Sequence, residues 1–445
     1  MGARDKAPRR PRQAALHAAR AARYGRAMAA PFADPLDAGL AAQYEAYPYP
    51  RRDPADERRR LVVGSPSHLR EIDYWVFGTA RPTSRPLNAL IAGGGSGDGT
   101  IMLAQQLATA NRPGTVTYLD RSQAAMAIAR SRADIRGLAN IAWHTGSLLD
   151  LPHSGLGPFD YIDCCGVLHH LAHPEAGLAA LLSVLAPDGG LGLMVYAPYG
   201  RTGVAPLQHA LTTLAPPDQP PADRLAVAKR LLRHLPDSAW LRRNPYVGDH
   251  LEGGDAGIYD LLLNPRERTY TVPELAAFLS SAGLTIAALI EPMRYDPATW
   301  LPDPKLRALA EPLDPLARAA LAEAITGNMS THIAYCARTP RPLPDPTDPG
   351  AVPIAREISG PDLAKHIGAD GAMSFLFDGL RALVPVPRLA LPILNLIDGT
   401  RTVADLAATL AERGIDAPQF QRAWRETFAR LSALNRLLLA PASSN

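Results

Sequence analysis

The stretch Leu87-Asn88-Ala89-Leu90-Ile91-Ala92-Gly93-Gly94-Gly95-Ser96-Gly97-Asp98 decides how this chain is read. Its first half is a short apolar run, the pattern of a strand buried in a parallel sheet. Its second half is a glycine cluster, followed by helical apolar spacing over Thr100–Ala110. In open α/β sheets the ligand crevice lies at such a strand end. Backbone without Cβ atoms can approach a ligand there, and free N–H groups at the helix start bind anionic groups. A tight turn is the plain alternative. Spacing narrows the choice of ligand. A dinucleotide fingerprint needs glycine at 98 counted from Gly93, or at 100 counted from Gly95, and those positions are Asp98 and Thr100. No Lys-Ser/Thr pair follows, which excludes a P-loop. What fits is G-x-G-x-G through Gly93, Gly95 and Gly97.

Beyond this unit, strands and helices alternate. Thr115–Leu119 is a β-branched strand ending at Asp120, and Ser122 can cap a helix over Ser122–Arg132. A carboxylate at that strand end can accept both ribose hydroxyl hydrogens of an adenosine; a turn or cap role is the alternative. Ile141–His144, Phe159–Cys165 and Leu191–Tyr196 read as further strands, with a helix over Pro174–Leu185. Residues 200–265 are helical and proline-punctuated, an insertion after strand five. Helix and strand return at Val272–Ala282, Leu284–Leu289 and Thr331–Ala337. The pattern predicts an α/β domain over 86–338, a mostly parallel sheet with helices on both faces.

Taken together, AGGGSG at 92–97, Asp120, GSLLDLP at 146–152, FDYIDCCGVLHHL at 159–171 and LAPDGG at 185–190 resemble the successive motifs of class I S-adenosylmethionine-dependent methyltransferases. The resemblance covers roughly 87–200. It implies a Rossmann-like sheet and S-adenosyl-L-methionine as cofactor. Tyr44-Glu45 with Pro48-Tyr49-Pro50 adds a Tyr-Glu-x-x-Pro-Tyr-Pro leader, similar to bacterial methyltransferases sometimes fused to tetratricopeptide repeats; no such repeats occur here. By that resemblance Gly93, Gly95 and Gly97 would contact the methionine part, with Gly94 in the same loop. Asp120 would hold the ribose, with Arg121 beside it, and Ser147 and Leu148 would lie by the adenine. Cys165, Gly166 and Val167 would line the cleft after strand four. Asp98 would either reach the methionine end or cap its helix. Two positions depart from the family pattern: Ile91 and Ser147 stand where many members carry an acid.

Methyl transfer asks the protein for position, desolvation and sometimes a base. His169 and His170 are the base candidates, because they follow strand four where it opens into the cleft; packing or hydrogen bonding at the strand end is the alternative. Acceptor contacts are expected from outside the cofactor core: Tyr47, Tyr49, Tyr74, Trp75 and Phe77 as a lid, Tyr199 after strand five, and Asp255, Tyr259, Asp260, Tyr270 and Thr271 near the return to the sheet. The acceptor is expected to be a small molecule or a protein or peptide side chain. An alternative function is a non-catalytic methyltransferase-like binding or regulatory module. Asn244-Pro245-Tyr246 only partly matches the signature of amino-methylating enzymes, stands in the wrong place for it, and reads as a loop.

The remaining chain sets the context. Residues 1–30 hold eight Lys/Arg against Asp5 alone, so with a net charge of +3 the rest lies near −4. A body without basic excess is not expected to bind nucleic acid. The 1–30 stretch reads as a basic disordered tail, and 31–85 as a lid or substrate segment. No run of ~18 apolar residues suggests a membrane span. Three cysteines without a CxxC pair give no metal motif and point to a reducing, cytoplasmic setting. Residues 339–353 read as a proline-rich linker. Residues 354–445 read as a small, mainly helical domain resembling winged helices, with helix, turn, helix over Leu391–Leu410 and a longer helix over Phe420–Leu434. Its ten Lys/Arg and nine Asp/Glu over 351–445 favour a protein or peptide partner, or a structural role, over DNA.

Overall fold

A computed structural model of the chain describes residues 43–440. The expected basic tail at 1–30 lies outside the described residues. Strands β1 (Leu87–Ala92), β2 (Gly114–Asp120), β3 (Ile141–Thr145), β4 (Phe159–Cys165) and β5 (Leu185–Tyr196) alternate with helices α1 (Asp98–Thr109), α2 (Gln123–Arg136) and α3 (Pro174–Ser183). After β5 come α4 (Val204–Leu214), α5 (Pro221–Arg233) and α6 (Gly254–Leu263), with short helical turns between them. Then follow α7 (Val272–Ser281), β6 (Thr285–Ile290), α8 (Pro315–Thr326) and β7 (Thr331–Ala337). The sheet order is β3-β2-β1-β4-β5-β7-β6, with β7 antiparallel to both neighbours. Strand order reverses between β1 and β4, and such a switch point opens a crevice at the strand carboxyl ends.

Local sequence explains these elements. The Ser122 side chain accepts from Ala125 N–H and starts α2, while Thr271 and Glu274 form a capping box at α7. Alternation along β1 sends Leu87, Ala89 and Ile91 to one face, against Leu103 and Leu107 of α1. Leu90 and Ala92 face the other way, toward a core shared with Leu181 of α3 and Leu275 of α7. The insertion builds its own core from Val204, Leu211, Leu225, Ile258 and Leu262.

The C-terminal region holds β8 (Pro353–Ala355), β9 (Ala372–Phe377), β10 (Leu380–Pro385), α9 (Val403–Ala411), α10 (Ala417–Ala433) and β11 (Leu437–Leu439). The region is mainly helical, and the hairpin β9–β10 adds strands that the sequence reading did not give. Its turn is Asp378-Gly379, with φ of 46° and 80°. That is the two-residue turn for which Asp-Gly is selected. This region shares one apolar cluster with the sheet, running from Ile72 and Phe77 to Leu406, Trp424 and Leu431. At the join, buried Arg356 pairs with fully buried Glu71, which also accepts from Ser65 Oγ at 2.7 Å and Tyr335 OH at 2.8 Å. Trp75 Nε1 donates to Asn435 Oδ1 at 3.0 Å. Tyr74, Trp75 and Phe77 therefore pack at this join rather than over the crevice, and the expected lid role is corrected for all three. Residues 339–352 run without helix or strand, and Pro346 O accepts from Trp424 Nε1 at 2.6 Å.

Candidate functional site

The turn after β1 is shaped by what a side chain would strike. Gly93, Gly95 and Gly97 have φ of 81°, 50° and 103°. A Cβ at Gly95 would come within 2.7 Å of Tyr49 O, and one at Gly97 within 2.8 Å of Ala129 Cβ. Asp120 accepts from Gly95 N–H and Ser122 N–H, each at 2.8 Å, so the second strand's carboxylate braces the first strand's loop. Burial pushes the Asp120 carboxyl up, against those backbone donors. Beside the loop opens a cavity of about 520 Å³, within the range of roughly 300–1,000 Å³ common for ligand pockets.

The leader segment forms the near wall. Glu45 accepts from Ser122 Oγ at 2.9 Å and from Ala124 N–H at the start of α2. Tyr44 OH donates to Asp260 Oδ1 of α6 at 3.1 Å, and the Tyr47 ring stacks on Tyr259 with centroids 5.2 Å apart. Tyr49 O accepts from Ser96 N–H at 3.4 Å. Arg52 reaches Asp98 with Nε at 2.8 Å, and buried Arg132 holds the same carboxylate at 2.7 Å. Burial alone would raise the Asp98 carboxyl, but the two guanidiniums outweigh it and hold the group below the usual range. Asp98 thus begins α1 and clamps the leader across the glycine loop.

The far end of the cavity is built by the insertion and the sheet rim: Tyr49, Tyr196, Arg201, Tyr246, Asp249 and Asp260. Asp260 accepts from Tyr44 OH and, at 3.0 Å, from Tyr196 OH. Arg201 is bidentate to Glu267, at 3.0 and 2.7 Å, and its guanidinium lies 3.7 Å from the Tyr196 ring centroid. Burial raises the Asp249 carboxyl, and Asp260 and Glu267 push it further, against Arg201. Asp249 and Asp260 make this chamber acidic, since the Arg201 guanidinium beside them is already paired with Glu267, and it is walled by tyrosine rings.

The two histidines part company. His170 lines the cavity, and its Nδ1 lies 2.7 Å from Arg266 O. A carbonyl only accepts, so Nδ1 carries a hydrogen, and in the neutral ring Nε2 is the atom with the lone pair. His169 is buried, with neither ring nitrogen partnered, packed against Tyr196 and held well below the usual imidazole range by desolvation. It does not line the cavity, which corrects its place as a base candidate.

Of the other expected residues, Gly93, Gly94, Gly95, Asp98, Asp120, Arg121, Ser147, Leu148, Cys165, Gly166 and Tyr49 line the cavity. Gly97 sits behind it as the N-cap of α1. Tyr47 and Tyr259 pack on one another in the insertion core. Tyr270 packs in the opposite core beside Phe278, and Tyr199 is exposed on the surface. None of these four lines the cavity, so their expected contact with the acceptor is corrected. The loop Asn244-Pro245-Tyr246 is a loop as read, yet Tyr246 and the next three residues reach the cavity. Sequence reasoning missed Arg52, Asp163, Arg201 and Asp249; an acid inside the apolar strand Phe159–Cys165 was a signal available for Asp163.

Asp163 is 2% exposed, and burial raises its carboxyl to about 7, against a backbone donor from Cys165. A carboxyl whose folded value exceeds its unfolded one favours folding while protonated, and ionising it costs stability as pH rises from about 4 to about 7. Without ligand, Asp163→Asn is therefore expected to be more stable than the parent at pH 8, on the order of 1–3 kcal/mol, with the gap clearly smaller at pH 5. Urea unfolding at the two pH values measures this; equal gaps at both would contradict it.

Residues 90–191 match the family model described as a methyltransferase domain. An uncharacterized protein of Synechococcus sp. is 32% identical over 267 residues, which is 59% of this chain and 62% of that protein, less than two thirds of its length. Among solved structures, PKMT2 from Rickettsia typhi in complex with AdoHcy is similar with a TM-score of 0.57 at 15% identity, over 84% of this chain and 75% of that one. A second structure of the same protein gives 0.58 at 14% identity, over 83% and 75%. At such identities the likeness is one of fold. Among the described residues no helix is long and apolar enough to cross a membrane, and no group of three or more His, Cys, Asp or Glu is placed to hold a metal ion. The segment from β1 into β5, with the glycine loop and Asp120 at its crevice, is thus the part of the chain that matches a methyltransferase domain.

Proposed function

We propose that this chain is an S-adenosylmethionine-dependent methyltransferase acting on a protonatable nitrogen of a small molecule or of a protein side chain. One observation carries the reading: a single cavity is lined by the glycine loop, Asp120 and His170 and also by Asp249, Asp260, Tyr49 and Tyr196. The residues present fit the cofactor. The loop bares backbone where Cβ atoms would collide, Asp120 offers paired acceptors for a ribose, and Ser147 and Leu148 flank the same space. When bound, the cofactor supplies an electrophilic methyl group on a sulfonium. Asp249 and Asp260 would attract a cationic acceptor, and Tyr49 and Tyr196 would desolvate it. Nitrogen attacks only through a lone pair, so its proton must leave, and His170 Nε2 would take that proton.

Calorimetry with S-adenosylmethionine, together with S-adenosylhomocysteine formation on a panel of amines and lysine peptides, tests the function. Binding without turnover on any acceptor would favour the non-catalytic module, which the departures at Ile91 and Ser147 also favour. His170→Asn is expected to cut kcat by about 100-fold while cofactor affinity stays within threefold; unchanged kcat would end the base role. The C-terminal region is proposed as a winged-helix-like structural part of the enzyme, supported by its shared apolar cluster with the sheet and by Arg356–Glu71. A protein partner on its outer face, and a reducing cytoplasmic setting for the three free cysteines, are proposed with it.

A further inference from the structure

Many relatives of this fold carry an acid two residues before the first glycine of the loop, and here that position is Ile91. Directly beside Ile91, in register on the neighbouring strand, stands Asp163. In-register partners on parallel strands point to the same face of the sheet, roughly 4.7–4.9 Å apart. Both residues line the cavity, together with Gly99 and Cys165. Asp163 Oδ2 accepts from Ser67 Oγ and the Cys165 backbone N–H lies by the carboxyl, while Oδ1 is buried and makes no hydrogen bond of normal geometry. A buried carboxylate with an orphan oxygen is costly unless something charged completes it. The nearby guanidiniums are committed elsewhere: Arg52 to Asp98, and Arg132 to Glu57 and Asp98.

We propose that Asp163 holds the α-ammonium group of the cofactor's methionine moiety, replacing from β4 the acid that β1 lacks. This rests on the S-adenosylmethionine reading above. The ammonium satisfies both needs of the site, a positive charge and an N–H donor for Oδ1. The sulfonium has no N–H, and the adenosine part is served by Asp120 and the 147–148 turn. Burying an unpaired acid is then a cost borne for binding, consistent with strain and desolvation collecting at functional sites.

Two ligands isolate the contact. S-adenosylhomocysteine carries the amino acid, and methylthioadenosine shares the nucleoside but lacks it. Asp163→Asn is expected to weaken S-adenosylhomocysteine by about 10- to 100-fold and to leave methylthioadenosine within twofold. Equal losses for both ligands would mean that Asp163 only shapes the cleft, and no loss for either would leave it without a role; both outcomes overturn the inference. If the parent protein binds neither ligand, the cofactor reading itself fails.

A second measurement needs no variant. At pH 6 a carboxyl with a value about 7 is mostly protonated, and pairing with an ammonium ionises it. Tyr161, Cys164 and Cys165 on the same strand are raised and stay protonated, while Asp98 is held low and stays ionised. Asp120 meets both ligands alike. Calorimetry in two buffers of different ionisation enthalpy should therefore show S-adenosylhomocysteine releasing close to one proton more than methylthioadenosine. Equal release by the two ligands overturns the inference even if the variant does not fold.

Discussion

Replacing Asp120 with alanine is expected to weaken S-adenosylhomocysteine binding by about 100-fold or more. Its carboxylate is fixed before any ligand arrives, one oxygen by Gly95 N–H and the other by Ser122 N–H. Each oxygen keeps a second lone pair, and the cavity lies in front of them. Two ribose hydroxyls donating to an ionised acceptor are worth about 1.5–3 kcal/mol each, so losing both costs about 3–6 kcal/mol. That range corresponds to roughly 10²–10⁴ in affinity. Asn keeps one accepting oxygen and should fall between alanine and the parent. Methylthioadenosine should lose as much as S-adenosylhomocysteine, the opposite of the pattern expected at Asp163. Calorimetry on the three proteins measures this, and an alanine variant binding within threefold of the parent would remove Asp120 from the cofactor site.

The glycine-loop half of the cavity was legible because its determinants are local. The spacing of Gly93, Gly95 and Gly97 and the strand-end position of Asp120 follow from one strand-turn-helix unit and its neighbour. The far half was not, because it is assembled across the chain. Asp260 is 216 residues from its partner Tyr44, and Arg201 and Glu267 are 66 apart. Aromatic composition alone misled at Tyr74 and Trp75, which look like lid residues and instead meet Asn435 and the C-terminal core. The hairpin was a different miss. Asp378-Gly379 between two apolar runs is a local signal, but the strong helical periodicity after Leu391 drew the whole region toward helix. The leader was read by resemblance alone; in the structure Glu45 sits on the start of α2, and Arg52, just beyond the motif, sits on Asp98.

Glu71→Ala is expected to cost about 3 kcal/mol of stability and to loosen the C-terminal region. Glu71 has 0% exposure and gathers Arg356, Ser65 Oγ and Tyr335 OH. Removing one member of a buried pair strands the other charge, at about 3–5 kcal/mol. Here Arg356 keeps the partly exposed Glu357 as a second partner, which places the effect at the lower end. Ser65 Oγ also loses its acceptor, while Tyr335 OH keeps Pro66 O. The readouts are the chemical unfolding midpoint and the rate of protease cleavage within 339–352, both expected to move together. Replacing Glu71 and Arg356 jointly with leucine and methionine should recover most of the loss, because apolar residues of similar volume need no partner. If alanine lowers the midpoint but 339–352 is no more accessible, Glu71 supports the sheet alone. If the double variant is no better than the single, the pair's hydrogen bonds to Ser65 and Tyr335 matter more than its charge.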